Sequence, residues 1–367
     1  MQEEIQIRNL SNEAFPLEII AGKTARKHLA EMGWQPELFK SLVGASGGAK
    51  LLGLGYLDRI IFGDFLQRSH HQMELYGSSI GSWRHAALAS PNPANAIAAL
   101  QERYLNQTWD ENETRSATEV VDELCDWVLD GILTPGVAAH ITKKQRFETH
   151  IVTARGRGLN SMHNRGTVML GMAKALLVNI IDRRFLEHSF QRAVFSSGKS
   201  SEFLFKDFDT VQVPLTEANL RSALLASGSV PLLMSGRRNI EGAPKGQYWD
   251  GGIIDYHFDF TNYAGEGLVL YPHFSTAITT GWFDKALPWR RISPASIDRL
   301  IVVAPSKVYV RSLPNGKIPD RRDFKTFKTE ERMKYWNHAL ESSKLLAEAF
   351  NDAIEHVNPL EYVSNKI

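Results

Sequence analysis

An α/β sandwich on a largely parallel sheet is the fold this sequence predicts, and three observations predict it. Short apolar runs bounded by glycine or proline alternate with longer stretches whose apolar residues recur at helical spacing. Two of those runs enter glycine-serine turns, Leu42-Val43-Gly44-Ala45-Ser46-Gly47-Gly48-Ala49-Lys50 and Leu75-Tyr76-Gly77-Ser78-Ser79-Ile80-Gly81-Ser82-Trp83. Both carry Gly-x-Ser-x-Gly, the pattern of a serine on a sharp turn between strand and helix. The chain also has the material: 367 residues, 43% hydrophobic and 23% charged, suit one large α/β domain with extensions, or about two domains.

In chain order, Thr24–Met32 has helical periodicity and breaks at Gly33-Trp34-Gln35-Pro36. Ala21-Gly22-Lys23-Thr24 is similar to the end of a phosphate-binding loop, but that loop needs glycine where Leu17 stands. Phe39–Val43 is a short strand-like run. Leu51–Phe65 reads as a helix with Asp58, Arg59 and Asp64 outside its apolar stripe. Met73–Tyr76 is again strand-like, and Ile80–Ala89 is a small-residue helix stopped at Ser90-Pro91. Residues 94–133 read as helical with polar interruptions, Thr149–Thr153 alternates as a strand, and Val168–Phe190 suggests one long helix. Asn219–Ala226 is helical up to Gly228 and Pro231. Tyr248–Ile254, Leu268–Tyr271 and Leu300–Val303 are strand-like, and a long amphipathic helix over Glu330–Val357 closes the chain.

Net charge is +1, which gives no electrostatic reason for a nucleic-acid partner. The basic pairs Arg183-Arg184, Arg237-Arg238, Arg290-Arg291 and Arg321-Arg322 read as solvated surface, because membrane-surface binding uses clusters of about 4–8 basic residues. Cys125 is the single cysteine, which excludes an internal disulfide and a thiolate-rich metal site. Its place in the apolar pattern Val120–Leu129 predicts a buried, inert thiol. No cluster of His, Asp and Glu has metal-ligand spacing, and His70 and His71 would diverge on a helix, so neither metal nor cofactor is expected. The opening Met-Gln-Glu-Glu-Ile-Gln is unlike a signal peptide. Val168–Ile181, the longest apolar run, falls short of the ~20 residues a spanning helix needs. The sequons at Asn106 and Asn112 are read as chance, and a cytoplasmic location is expected.

One chain rarely needs two nucleophilic serines, and the residues after each serine separate them. After Ser79, Ile80–Ala87 can begin a helix at once, which turns backbone N–H groups and the positive dipole end toward the serine oxygen. After Ser46 come Gly47 and Gly48, each costing about 1 kcal/mol in a helix interior. Successive glycines suit a nest of N–H groups, the part an oxyanion hole needs. The two turns therefore read as complementary, with donors from the first and attack from Ser79 in the second. The competing reading is two ordinary strand–helix turns.

In these turns and two later segments the sequence resembles the patatin-like phospholipase family. The family's Gly-rich oxyanion loop, ending in a basic residue, is matched by Gly47, Gly48, Ala49 and Lys50; its elbow by Gly77, Ser78, Ser79, Ile80 and Gly81. An Ala-Ser-x-x-x-Pro-like turn and a Tyr-x-Asp-Gly-Gly segment come later in order, here Ala226–Pro231 and Tyr248–Gly252. Two departures stand out: Ser46 occupies the place of the loop's first glycine, and Leu51 replaces a glycine that often succeeds the basic residue.

The resemblance implies a three-layer α/β/α sandwich with a mostly parallel central sheet and a helical C-terminal extension. It divides the chain into an N-terminal helical extension (1–41), a catalytic core (42–258) and a strand-and-helix extension packed on it (259–367). It also implies a serine lipid acyl hydrolase of phospholipase A type, with Ser79 as nucleophile and Asp250 as its base in a Ser-Asp dyad, without cofactor. The expected partner is a lipid or acyl-ester substrate, with transient contact at a membrane surface. A general carboxylesterase or thioesterase, and a non-catalytic lipid-binding scaffold, stay open as alternatives. A conventional triad through His257 or His273 is disfavoured, since alternation in Tyr256–Asp259 turns His257 away from Asp250. Lys50 is read equally as a phosphate contact and as a loop-closing contact, and Arg84 as a surface or ion-pair residue. Trp282, Phe283, Leu287 and Trp289 are read as core packing ahead of an interfacial loop.

Overall fold

The computed structural model describes residues 15–110, 112–143, 146–199 and 202–364; the opening segment, including the part compared with a signal peptide, lies outside them. Its strands are β1 (Leu17–Ala21), β2 (Phe39–Gly44), β3 (Met73–Ser78), β4 (Phe147–Gly156), β5 (Phe190–Ser196) and β6 (Thr210–Pro214). After these come β7 (Arg237–Arg238), β8 (Gln247–Asp250), β9 (Leu268–Pro272), β10 (Ile278–Thr279), β11 (Arg291–Ile292) and β12 (Leu300–Pro305). Ten strands form one sheet ordered β1-β12-β9-β2-β3-β4-β5-β6, with β8 joined to β4 and β7 to β8. The run β12-β9-β2-β3-β4 is parallel throughout, and the antiparallel pairs lie at its margins. It is the mostly parallel α/β/α sandwich that the sequence predicts.

Strands β9 and β12 are buried along their whole length, as strands covered on both faces must be. Successive residues face opposite layers. Leu42, Leu75, Ile151, Leu270 and Ile301 enter one core with Leu54, Leu57 and Phe350, while Val43, Tyr76, Val152, Val269 and Val302 enter the other with Phe203 and Phe258. Parallel strands deliver their C-terminal ends to one edge of the sheet, so the turns after β2 and β3 emerge side by side.

Several elements differ from the sequence expectation. Leu17–Ala21 is an antiparallel edge strand on β12, ahead of the expected helix, which spans Lys23–Met32. Residues 94–133 divide into helices Pro93–Leu105 and Ala117–Asp130, the second started by a Ser116/Glu119 capping box. The helix expected over Val168–Phe190 ends at Ile181, and Phe190 opens β5. Of Tyr248–Ile254 only Tyr248–Asp250 is strand, within β8, because Gly251–Ile253 turn as a 3₁₀ segment. The closing helix is two, Thr329–Ser342 and Lys344–Glu355, hinged at Ser343, whose hydroxyl accepts from Tyr56 N–H at 2.8 Å and donates to Leu340 O.

Asp58 corrects a further expectation. It does not lie outside the apolar stripe but is fully buried, in a two-pronged pair with Arg84: Nε to Oδ2 at 2.7 Å and Nη2 to Oδ1 at 2.5 Å. Arg84 Nη2 also donates to Pro272 O at 3.3 Å, tying helices Leu51–Gly63 and Ile80–Leu88 to the end of β9. Burial pushes the Asp58 carboxyl up while Arg84 pulls it down. Cys125 is half-buried, and burial pushes its thiol up to about 12, in line with the inert role expected. Phe283 and Leu287 are core, whereas Trp289 is 72% exposed.

Truncating one member of a buried ion pair strands the other charge. Asp58→Ala or Arg84→Met alone should therefore lower unfolding free energy by about 3–5 kcal/mol, and the Asp58→Leu/Arg84→Met double variant should recover most of that loss. Urea unfolding of the four proteins checks it; single losses below about 1 kcal/mol would contradict the buried pair.

Candidate active site

The site forms where two strands meet end to end on one flank of β4. β3 runs parallel to β4 up to the pair Ser78–Val152; β8 runs antiparallel along the same flank and ends at the pair Asp250–Thr153. The two strands thus arrive from opposite directions at adjacent positions of β4. Ser79 comes directly after β3, and its Oγ donates to Asp250 Oδ2 at 2.9 Å.

Local sequence forces the sharp turn at Ser79. Its backbone sits at φ 53°, ψ −132°, a region that costs a non-glycine residue of order 1–3 kcal/mol and persists only when its surroundings hold it. Helix Ile80–Leu88 starts at the next residue and is buried throughout, so its N-terminal dipole end is directed at the turn. Gly81 lets this helix lie on the end of β2, since a Cβ there would stand 2.0 Å from Gly44 O. Gly77, the fifth residue of β3, packs as closely on Ser82, with a Cβ at 2.5 Å from its Cα.

The motif Ala226–Pro231 acts as a brace for both reacting groups. Ser227 Oγ accepts from Ser79 N–H at 2.9 Å and donates to Val152 O at 2.7 Å. Ser229 O accepts from Asp250 N–H at 2.9 Å. Trp83 Nε1 donates to Leu224 O at 2.9 Å, fastening the helix that carries this motif to the helix after Ser79.

The first glycine-serine turn lies against the same carboxylate. A Cβ on Gly252 would meet Ser46 Oγ at 2.3 Å and Asp250 Oδ1 at 2.9 Å, so one glycine separates the two segments. Ser46 N–H donates to Tyr256 O at 2.9 Å, and its hydroxyl lies 2.7 Å from Ser78 Oγ. Because Ser78 Oγ gives its proton to Asp255 O at 2.5 Å, Ser46 is the donor to Ser78. The Ser46 hydroxyl is thereby committed to the scaffold. Gly48 adopts φ 57°, and Gly48–Lys50 form a 3₁₀ turn. Among the described residues the N–H groups of Gly47, Gly48 and Ala49 have no hydrogen-bond acceptor.

Asp250 is 8% exposed, and burial lifts its carboxyl to about 6; the Gly252 N–H, at 2.7 Å from Oδ1, and the Ser79 hydroxyl pull the other way. Lys285 and Arg321 act on this carboxylate electrostatically, and Lys50 acts on Lys285. Lys50 Nζ sits 3.8 Å over the Phe274 ring and burial lowers it to about 8. Lys285 is an exposed residue whose Nζ sits 3.6 Å over Tyr256; desolvation of that ammonium against the ring, then Lys50 and Arg321, lower it to about 7. Neither lysine pairs with a carboxylate among the described residues. Lys285 and Tyr256 were not anticipated from sequence, since no motif marks them, and Ser78, though inside the elbow motif, carries contacts that join segments far apart in the chain.

No histidine bonds Ser79 or Asp250. His257 Nδ1 accepts from Thr279 N–H at 3.0 Å, and His257 and His273 pack edge to face 4.3 Å apart. Burial holds both imidazoles neutral, His273 at about 3.

Comparison with known proteins adds one positive finding. The family model described as patatin-like phospholipase matches residues 37–257, which include both glycine-serine turns and end seven residues beyond Asp250. Neither the curated proteins nor the solved structures returned a match. Strands β9 and β12, which complete the sheet, and Lys285 lie outside the matched span.

The close approach of Gly81 to a backbone oxygen leaves no slack for a methyl group. Gly81→Ala should lower stability by about 1–3 kcal/mol and reduce hydrolysis with it. Thermal unfolding measures this, and an unchanged Tm would mean that β2 and the turn are not locked together.

Proposed function

The chain belongs to the patatin-like phospholipase family, and from that premise we propose that it is a serine lipid acyl hydrolase in which Ser79 attacks and Asp250 transfers the proton. Family membership supports hydrolysis of lipid esters in general. The observation that carries the finer reading is the 2.9 Å bond from Ser79 Oγ to a buried carboxylate with no histidine between them.

A carboxylate at its ordinary pKa of about 3.9 is a feeble base toward a serine hydroxyl. Burial at Asp250 removes the water that would otherwise stabilise the charge, and raises its pKa to about 6. Asp250 Oδ2 accepts the Ser79 proton as Oγ bonds to the ester carbonyl carbon. Negative charge moves to the carbonyl oxygen, which would take hydrogen bonds from the N–H groups of Gly47 and Gly48, without acceptors among the described residues, and from the start of helix Ile80–Leu88. Asp250 then returns the proton to the departing alcohol, leaving an acyl-enzyme. Water repeats the cycle: its proton goes to Asp250, its oxygen to the acyl carbon, and Ser79 leaves with the proton as the fatty acid is released. Gly252 N–H on Oδ1 keeps the other carboxylate oxygen oriented throughout.

The phospholipase A reading is favoured over a short-chain esterase by Lys285 and Arg321, whose charges act on Asp250, with Lys50 acting in turn on Lys285. They suit an ester that carries a phosphate. No helix among the described residues is long and apolar enough to cross a membrane, so access to lipid would be from the surface.

A fluorophosphonate probe should label the wild type and Ser46→Ala but not Ser79→Ala; labelling lost with Ser46→Ala alone would move the nucleophile to the first turn. Asp250→Asn should lower kcat by about 10²–10⁴-fold with its fold intact. Since Asp250 must be deprotonated to accept a proton, kcat/KM should fall tenfold per pH unit below about 6 and level off above it. A limb centred near 4 would show an unperturbed carboxylate. Lys285→Met should raise KM for phospholipid while leaving a neutral p-nitrophenyl ester unaffected; an equal effect on both esters removes the headgroup argument.

A further inference from the structure

At the other end of β3 and β4 stands a second group of polar side chains that the proposed chemistry does not use. The strand register pairs Glu74 with Glu148 and Tyr76 with His150. In parallel neighbours this alternation sends all four side chains to one face of the sheet. Glu74, Glu148 and His150 are all buried, and one ligand atom from each lies within 4.8 Å of the others.

His150 gives the group its direction. Its ring is 0% exposed, and Nε2 has no hydrogen-bond partner while standing 3.7 Å from Glu74 Oε2. The other nitrogen, Nδ1, lies 2.9 Å from Oγ of Ser196, its cross-strand neighbour on β5. Ser196 Oγ also lies 3.4 Å from Gln212 Oε1. With Nδ1 held by Ser196, Nε2 is the nitrogen that faces the Glu74 carboxylate without a hydrogen-bond partner. An imidazole oriented through its far nitrogen is the usual arrangement of a metal ligand.

The carboxylates are oriented as well. Glu74 Oε2 accepts from the Tyr76 hydroxyl and from Glu202 N–H. Gly198 packs on Glu148 so closely that a Cβ there would overlap its carboxylate oxygen.

We propose that Glu74, Glu148 and His150 form a binding site for one first-row divalent transition ion, of which Zn²⁺ is the type. Two oxygens and one imidazole nitrogen suit Zn²⁺ or Mn²⁺, whereas Ca²⁺ takes six to eight oxygens and Mg²⁺ keeps its water. Tetrahedral bonds of about 2.0–2.2 Å place ligand atoms roughly 3.3–3.6 Å apart, so closing the triad takes carboxylate movements on the order of 1 Å. The site is structural. Glu74 precedes Ser79 by five residues on an extended strand, about 16 Å away, so the ion would clamp β3 to β4 without touching the reacting groups.

The test uses the full chain, stripped with EDTA and desalted, then titrated calorimetrically with ZnCl₂ and, separately, MgCl₂. Expected are one Zn²⁺ per chain, little Mg²⁺ uptake and a higher Tm with Zn²⁺. His150→Gln and Glu148→Gln should abolish the stoichiometric binding, and Ser196→Ala should weaken it about 10–100-fold. All three should keep esterase activity. No stoichiometric uptake by the wild type, or equal uptake by His150→Gln and Glu148→Gln, overturns the site. Should both variants fail to fold by circular dichroism, X-ray absorption on the Zn²⁺-loaded wild type decides. A shell of one imidazole nitrogen with carboxylate oxygens supports the site; a shell with no imidazole, or with two or more, overturns it.

Discussion

The structure turns on one constraint, the sharing of a single flank of β4 by two strands that approach from opposite directions. β3 occupies the flank as far as Val152, and β8 takes it over at Thr153. Whatever ends β3 must then face whatever ends β8, and here those residues are Ser79 and Asp250. The encounter happens inside the protein, where a carboxylate loses its hydration and gains basicity. The left-handed backbone at Ser79, the bonds from Ser227 and Ser229, and the glycine contacts between the two turns all hold that meeting point.

Buried charge surrounds the meeting point and restricts how its segments can move. Asp255, whose carbonyl receives the Ser78 proton, has its carboxylate gripped by Arg192 at 2.6 and 2.9 Å, and Arg192 in turn holds Asp207. Asp58 and Arg84 perform the same service beneath the helix after Ser79. Such pairs add little net stability, but breaking one leaves a charge in the interior, so displaced arrangements of these segments are costly. The site's rigidity therefore rests on groups that take no part in the proposed chemistry.

The two ends of the β3–β4 pair answer different physical demands. At the C-terminal end β3 releases its chain into the turn that carries Ser79. At the N-terminal end the strands are still paired, and register alone sets Glu74 beside Glu148 and Tyr76 beside His150. The spacing of histidines and acids along the chain gave no sign of a metal site, because Glu74 lies far from its partners in sequence. The one readable trace is Glu148-x-His150, two ligand types on one face of a strand.

How much was legible depends on how local the cause is. The glycine-serine turns, the helix immediately after Ser79, the strands at Leu268 and Leu300 and the parallel α/β class come from short-range pattern, and the structure has them. The buried Asp58 was misread because its partner lies a helix away; the helix break at Ser343 depends on a hydroxyl that accepts from Tyr56. Glu330–Val357 has helical periodicity throughout, and a tertiary contact interrupts it. Similarly, Ser46 and Ser79 share one motif, and the hydrogen bond of Ser46 to Ser78 is what commits the first hydroxyl to the scaffold.

By itself, then, the sequence determined which residues could sit on tight turns and where most strands and helices lie, though not their ends, since glycine placement and apolar period act within a few residues. Tertiary structure alone decided which acid faces which hydroxyl, which charges are buried, and that Lys285 from outside the family match reaches the site. Those outcomes depend on strand order and register. Both are set by the packing of the whole sheet, and no local pattern encodes them.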